Sequence, residues 1–446
     1  MRSLRLLVVA AVGSTVLGTM SPGFAAEGVN APSPTLEERV KELNQKVLDL
    51  EKRRQEDDAK AKDAPMVGAG EDGFFLRSAS GDFQLKLRGY VQTDGRFFLE
   101  DDRKPAIDQF LLRRVRPIVE GTMYRYFDFR IMPDFGGGKV ELQDAYLDIR
   151  YWSQAKLRAG KFKGPVGLER LQSGTDLLFV ERALPTNLVP NRELGFQLHG
   201  DLLGGALSYA VGVFNGVADG ASSDGDSGDD KEFEGRLFAH PFRNSAITPL
   251  QGLGLGVAGS YGTTDGTLPG YKSPGQNTFF SYKTGSTASG IHYRIAPQGY
   301  YYQGPFGIFG EYVVSSQDVR NGAEGKELHN TSWQVAASYV VTGDKASYKG
   351  VVPKQKFDPR NGAWGALEIA ARYAELSVDR DAFPIFADPA SAARKARAWG
   401  VGTNWYLNKS VKIVLNYEQT AFDGGAAGGA DREDERVVLS RLQVAY

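Results

Sequence analysis

The densest basic cluster in this chain is RRVRP, residues 113 to 117, in which Arg114 and Arg116 stand two apart and so share one face of an extended strand. A second group lies in and beside Leu171 to Gly195: Arg170, Arg182 and Arg192 as bases, Glu181 and Glu193 as acids, with Lys161 and Lys163 just before. Fixed cations of this kind stabilise an anion brought against them. At about 4 Å a unit charge contributes roughly 1 kcal/mol in bulk water and about 4 kcal/mol at an effective dielectric near 20. The chemistry indicated is the holding and steering of anions, with no bond made or broken.

Groups that make bonds are scarce. The 446 residues include no Cys, which removes a thiolate metal site, a Cys nucleophile and a disulfide scaffold. There are four His, at 199, 240, 292 and 329, none in an HExxH pattern, and neither a Gly-x-Ser-x-Gly elbow nor a Walker loop occurs. A dispersed Ser/His/Asp set is recognised by geometry and not by position, so an outer-membrane barrel hydrolase stays as an alternative. His199, beside Gly200, reads as a wall residue. The run Asp219 to Asp230 lacks the spaced acids and distant Glu of a Ca²⁺ loop and reads as a solvated surface loop, as do Asp379 to Arg397 and Gly424 to Glu435. No metal and no cofactor are expected. With 53 bases against 54 acids the formal charge is -1, which argues against nucleic acid as a partner.

The elements that carry these residues change along the chain. Residues 1 to 26 read as an export signal: Arg2 and Arg5, an apolar run Leu6 to Leu17 too short to span a bilayer, then small residues with cleavage after Ala25 or Ala26. Its removal takes two Arg, leaving 51 bases against 54 acids and a charge of -3. Leu36, Val40, Leu43, Val47 and Leu50 follow a 4-3-4-3 spacing, the a/d pattern of a coiled coil, with Lys46 and Glu51 placed to pair between chains. Thr35 offers a weak N-cap, and the almost wholly charged stretch Glu51 to Lys62 is expected to fray. Two and a half heptads also fit a solvated helix or a partly disordered tail. Residues 64 to 73 read as a linker.

From Gly81 the period becomes 2. Phe83 to Val91, Phe127 to Ile131, Ala145 to Tyr151, Leu367 to Tyr373, Val411 to Glu418 and Arg441 to Tyr446 each alternate apolar with polar residues. A mean hydropathy of -0.33 with 24% charged residues is wrong for a helical membrane protein. Strands running to an aromatic last residue, Tyr446, with Tyr151, Tyr373 and Tyr417 expected to cap strand ends at a membrane interface, favour a transmembrane barrel over a soluble sandwich. At about 23 residues per strand with its turn, 81 to 446 holds on the order of 16 strands, enough for an aqueous channel. The fold class expected is therefore all-β, a transmembrane antiparallel barrel of about 16 strands after a short coiled-coil helix. The domains are a signal peptide (1 to 26), a periplasmic helix and linker (27 to 73) and the barrel (74 to 446).

Strand phase then places Lys86, Arg88, Arg130, Arg150, Arg372, Lys412 and Arg441 in the lumen, together with Asp128, Asp144, Asp148, Glu368 and Glu418. For each base the competing role is a cross-strand ion pair that holds the wall and selects nothing. The phase of the RRVRP strand is ambiguous, since Phe110, Leu112 and Ile118 share a parity with Arg114 and Arg116. Pro185 and Pro190 bar a regular strand from 171 to 195, so that stretch either folds inward as a constriction or reaches out as a lid.

The blocks GKFKGPVGLERLQS (160 to 173), FVERALPTNLVPNRELGFQLHG (179 to 200), YRIAPQGYYYQGPFGIFGEYVVSSQ (293 to 317), SWQVAASYVVTGDKASYKGVVPKQKFDP (332 to 359), GTNWYLN (402 to 408) and the closing LSRLQVAY resemble, in order, the phosphate- and polyphosphate-selective porin O/P family. That resemblance covers nearly all of 81 to 446. It implies a trimeric outer-membrane barrel of sixteen strands, a loop folded into each channel, an exported N-terminal extension, and a ladder of Arg and Lys that passes anions inward. This chain lacks a long Arg-x-Arg-x-Arg run, and its lumen is mixed in sign. The expected function is a passive, anion-preferring diffusion channel for phosphate or polyphosphate, with a general porin as the alternative. The anion pathway is assigned to Arg114, Arg116, Arg182, Arg192, Lys161, Lys163, Lys86, Arg88 and Arg130. The partners expected are outer-membrane lipid, two further copies of the chain and small anions.

Overall fold

The computed structural model describes residues 35–71, 73–99, 106–225 and 228–446. The signal region expected at 1 to 26 lies outside them. The chain divides into a helical unit that ends at Lys62 and a barrel unit that begins at Asp63.

The helical unit is one helix, α1, Leu36–Asp63. Thr35 and Glu38 cap it reciprocally: the Glu38 amide donates to Thr35 Oγ1 at 3.3 Å and the Thr35 amide to Glu38 Oε2 at 2.8 Å. The helix does not fray at Glu51 but continues for three more turns. Apart from Asp57 and Asp58 the charged stretch is built of Glu, Lys, Arg, Gln and Ala, all strong helix formers, so its polarity weakens packing without opposing the helix. Along the heptad stripe Leu36, Val40, Leu43, Val47 and Leu50 are 50 to 82% exposed.

The barrel unit opens with a hairpin, β1 (Met66–Gly70) and β2 (Gly73–Arg77), where a plain linker was expected. There follow β3 (Gln84–Phe98), β4 (Gln109–Met123), β5 (Phe127–Asp134), β6 (Glu141–Ile149), β7 (Lys156–Phe162), β8 (Glu193–Leu202), β9 (Leu207–Phe214), β10 (Glu232–Ala239) and β11 (Leu253–Thr267). A small hairpin, β12 (Tyr271–Lys272) and β13 (Thr278–Phe280), precedes β14 (Ser286–Gln303), β15 (Phe306–Asn321), β16 (Glu324–Val340), β17 (Ala366–Ser377), β18 (Ala393–Tyr406), β19 (Val411–Gly424) and β20 (Glu435–Ala445). Leaving out the two small hairpins, sixteen strands pair antiparallel in sequence, and β20 closes on β3 from Val437↔Phe98 to Ala445↔Tyr90. The last residue finishes the seam, since Tyr446 and Gly89 exchange backbone hydrogen bonds at 2.9 and 3.0 Å. Strand β2 then takes the edge of β3 that lies beyond the chain end, from Phe74↔Leu87 to Arg77↔Gln84. No length of β3 is left as an open edge to pair with another chain.

Alternation sets which face each residue occupies. On β17, Leu367, Ile369 and Tyr373 point outward at 37 to 46% exposure, while Glu368 and Arg372 point inward at 3 and 4%. The strands run past the membrane band, so Tyr373 and Tyr417 lie within strands and not at their ends. Tyr373 packs against Trp333 and Tyr417 against Trp399, with ring centroids 5.3 and 5.5 Å apart. Trp405, on the same strand as Trp399 and facing the same way, joins Trp364 and Phe357 in a second aromatic group. Six residues of strand separate the two tryptophans, about 20 Å of rise, which matches the apolar band of an outer-membrane barrel.

One end of the cylinder carries the β1–β2 hairpin and Tyr446, with tight turns at 124–126, 203–206, 304–305 and 407–410. The opposite end carries longer segments at 163–192, 215–231, 268–285, 378–392 and 425–434. The longest of these folds into the lumen. In 163–192, a short helix α2 (Leu168–Leu171) and a 3-10 turn opened by Pro185 bury Val166, Leu168, Phe179, Val180, Leu184 and Leu188 to 1% exposure or less. The segment crosses to the far wall, where its backbone meets Asn404, Asn416, Lys412 and Arg372 of β17 to β19. The inward alternative for residues 171 to 195 is the one adopted. Segment 378–392, expected as a mobile surface loop, also packs inward through Ala382, Phe386, Ala387 and Ala392. From the hairpin end, 341–365 reaches up, and Tyr348 stacks on Tyr300 and donates to the Leu168 carbonyl at 2.5 Å.

Candidate functional site

The ambiguous phase of β4 resolves at a single residue. In its pairing with β3, Thr93 faces Leu112 and Gln92 faces Arg114, so Arg113 is an extra residue in a β-bulge. Before it Phe110 and Leu112 point outward, 77 and 53% exposed; after it Arg114, Arg116 and Ile118 point inward at 3 to 8%. The bulge lets adjacent arginines serve one site. Glu181, on the inward segment, receives Arg113 Nε at 2.5 Å and Arg96 Nη2 at 3.0 Å, with Arg114 Nη2 at 3.9 Å. Burial alone would raise the Glu181 carboxyl, but the charges of Arg113 and Arg114 hold it well below the usual range. One carboxylate thus stands against three guanidiniums.

The other bases fall into two groups. Lys163 donates to the carbonyls of Arg170 and Gln172, both at 2.7 Å; Arg170 donates to the Thr186 carbonyl; Arg182 donates to the carbonyls of Glu169 and Gln172 at 3.0 and 2.8 Å. None of these three makes an ion pair among the described residues. Burial, then the neighbouring charges of Arg182 and Arg192, pulls Arg170 down to about 9 and Lys163 well below its ordinary value. Burial and Arg192 pull Arg182 down to about 10 against the opposing effect of Glu169. Desolvated cations that repel one another are stabilised by the arrival of an anion.

The second group is neutralised. Arg116 meets Asp134 at 2.8 Å and Arg192 meets Asp144 at 2.7 Å; Arg130 lies between Asp144 and Glu120 at 3.2 and 3.3 Å, and Arg88 meets Glu120 at 3.1 Å. Lys161 pairs with Asp224. Lys86, half-buried on β3, has no ion pair among the described residues. Arg372 and Arg441 make bidentate pairs with Glu418 and Asp94, every contact at 2.7 Å, and Arg150 pairs with Asp128. Gly400 lies between Arg372 and Glu418, where a Cβ would come within 2.9 Å of the Glu418 side chain, so its lack of one keeps that bridge open. His199 accepts the wall role, with Nε2 2.9 Å from Asp148.

The inward segment separates two basins. Toward the long-loop end a cavity of about 380 Å³ is lined by Arg113, Arg114, Arg170, Arg182 and Lys272. Toward the hairpin end one of about 210 Å³ is lined by Arg158, Lys163 and Arg236. Among the described residues Arg236 bonds only Gln298, at 3.3 Å, and it lies 4.4 Å over the Phe238 ring. Asp219 is not solvated as expected: it is fully buried, accepting from Arg294 at 2.8 Å and Ser315 at 2.7 Å.

Comparison with known proteins identifies this sixteen-strand barrel. The family model for phosphate-selective porin O and P matches residues 83–446. The chain belongs to that family. Among curated proteins it is 25% identical to Porin O of Pseudomonas aeruginosa over 86% of this chain and 93% of that one. Among solved structures it is similar to the outer-membrane channel DcaP of Acinetobacter baumannii (TM-score 0.54, 13% identity, 84% of this chain and 99% of that one). It is also similar to an anion-selective porin from Comamonas acidovorans (TM-score 0.50, 12% identity, 82% and 100%). The chain is an outer-membrane porin, a channel and not an enzyme.

Several of the porin's bases escaped the sequence reading. Arg96 continues the inward phase of Lys86 and Arg88 on β3 beyond the point at which the alternation was followed. Glu232, Glu234, Arg236 and Phe238 alternate against Phe233 and Leu237, a signal present but unread. Arg113 had none, because nothing in RRVRP marks which residue bulges.

Proposed function

We propose that this porin is a homotrimeric, anion-preferring diffusion channel, with phosphate-class oxyanions among its solutes. The observation that carries this is the set Lys163, Arg170 and Arg182: half-buried bases on the segment crossing the lumen, bonded to backbone carbonyls and, among the described residues, to no carboxylate. A permeating oxyanion is the counter-charge they lack, and accepting from N–H donors suits phosphate. Arg114 joins them, being 3.9 Å from a carboxylate already shared by two other arginines. The ion-paired Arg88, Arg116, Arg130, Arg192 and Lys161 hold the wall in this reading and contribute less. Their neutralisation also favours the second reading, a general porin, over most of the channel's length. The gradient drives transport, and no cofactor takes part. The hairpin end faces the periplasm, as the shorter turns of such barrels do, and the segment 27 to 73 belongs to the periplasm after export through the signal at 1 to 26. The apolar outer face contacts lipid, and the likeness to the anion-selective porin named above supports the same charge preference.

Changing Lys163, Arg170 and Arg182 together to Gln should move the zero-current potential under a salt gradient toward cation preference and weaken block by phosphate. The pair Arg88→Gln and Arg150→Gln should do much less. Equal shifts would spread selectivity along the wall, and no shift from either set would leave a general porin.

A further inference from the structure

Beside the constriction three carboxylates meet in one buried place. Glu193 opens β8, and Glu232 and Glu234 open β10; all three are at most 1% exposed, and one oxygen of each lies within 4.8 Å of the others. Glu193 Oε2 accepts from the Gly216 amide at 2.9 Å and Glu232 Oε1 from Arg294 Nη1 at 2.5 Å. Their other oxygens receive no donor from a different side chain or an amide among the described residues, and Glu234 receives none on either oxygen, its carboxyl lying directly against that of Glu193. Arg294 is already shared with Asp219, so four buried carboxylates face one guanidinium. Ionised carboxylates are not kept dry without compensating charge. Four free carboxylate oxygens converging from three side chains form the hard donor set that Ca²⁺ takes, in mono- or bidentate fashion with water completing the shell.

We propose that Glu193, Glu232 and Glu234 form a divalent-cation site of the Ca²⁺ class, with Glu234 as its central ligand. The position gives the ion a task. Gly164, at the start of the inward segment, sits so close over Glu234 that a Cβ there would fall 2.1 Å from Oε2. Glu193, at the end of that segment, pairs with Phe162 before it. A cation here ties down both roots of the constriction and, through the Gly216 amide on Glu193, the neighbouring segment 215–231. It also offsets an acidic cluster inside a channel whose solutes are anions.

The test is Ca²⁺ titration by calorimetry of the full-length detergent-purified protein, after chelator treatment and dialysis, beside Glu234→Gln. Acidic surface loops are common to both proteins and cancel. The expected result is one saturable site per chain in the wild type, weakened at least tenfold in the variant, and an unfolding temperature that rises with Ca²⁺ in the wild type alone. Identical titrations overturn the proposal. So does a wild-type unfolding temperature indifferent to Ca²⁺ and lower than that of Glu234→Gln, the signature of carboxyls sharing a proton. Should the variant fail to assemble, the wild type decides alone, and absence of saturable Ca²⁺ or Mg²⁺ heat overturns the site.

Discussion

Arg114 and Arg116 are two residues apart on one strand face, yet their surroundings give them different work. Arg116 donates from Nε to Asp134 Oδ2 and from Nη1 to the Tyr90 hydroxyl at 2.8 and 2.9 Å, while Asp134 Oδ1 accepts from the Val115 and Gly136 amides, both at 3.0 Å. Arg116→Gln leaves that buried carboxylate without its charged partner and should lower barrel stability by roughly 1 to 3 kcal/mol, read as a lower temperature of the heat-modifiable shift, with a small effect on selectivity. Arg114 bonds Gln92 at 2.7 Å and shares Glu181 only at a distance, so Arg114→Gln should leave stability near wild type and reduce anion preference. Selectivity loss from Arg116→Gln equal to that from Arg114→Gln would contradict this division. In the sequence the two were indistinguishable, because pairing with Asp134 depends on the β4–β5 register and not on local spacing.

At the scale of elements, the alternation of β17, β19 and β20 was legible because each has one apolar and one polar face, and period 2 records that directly. The phase of β4 was not, since an extra residue in one strand leaves no mark in composition. That gives a sharp test. Deleting Arg113 removes the bulge yet keeps both faces, because Leu112 still meets Thr93 facing lipid and Arg114 still meets Gln92 facing the lumen, as in a plainly alternating strand. The deletion should therefore assemble, seen as a retained heat-modifiable band, and like Arg113→Ala it should lose the contact to Glu181. Loss of that band in the deletion but not in Arg113→Ala would show that the barrel needs the bulge itself. The β1–β2 hairpin was missed for a related reason: five-residue strands between glycines carry too short a pattern to separate from a linker. The length of α1 was missed because charge was taken as a sign of fraying when the residues concerned favour helix.

For the whole molecule, the barrel, its size and the non-strand character of 171 to 195 could be read in advance, since Pro185 and Pro190 speak locally. The direction taken by that segment could not, because the residues that draw it inward, among them Asn404, Asn416 and Lys412, lie more than 200 positions away. The exposed heptad stripe of α1 belongs to this scale too. If three copies join through it, Leu43→Asp with Val47→Asp should abolish concentration-dependent helicity of a peptide spanning 31 to 62 while leaving trimers of the full-length barrel intact; a wild-type peptide without such helicity would contradict helix association.

The central claim is that half-buried bases on the inward segment, bonded to carbonyls and not to carboxylates among the described residues, make the channel prefer anions. The most direct measurement is the zero-current potential of single wild-type channels under a KCl gradient, followed by titration with phosphate. The account predicts a potential of the sign set by chloride permeation and a current that falls as phosphate occupies the constriction. A potential of the opposite sign, or one near zero with no block by phosphate, would contradict it.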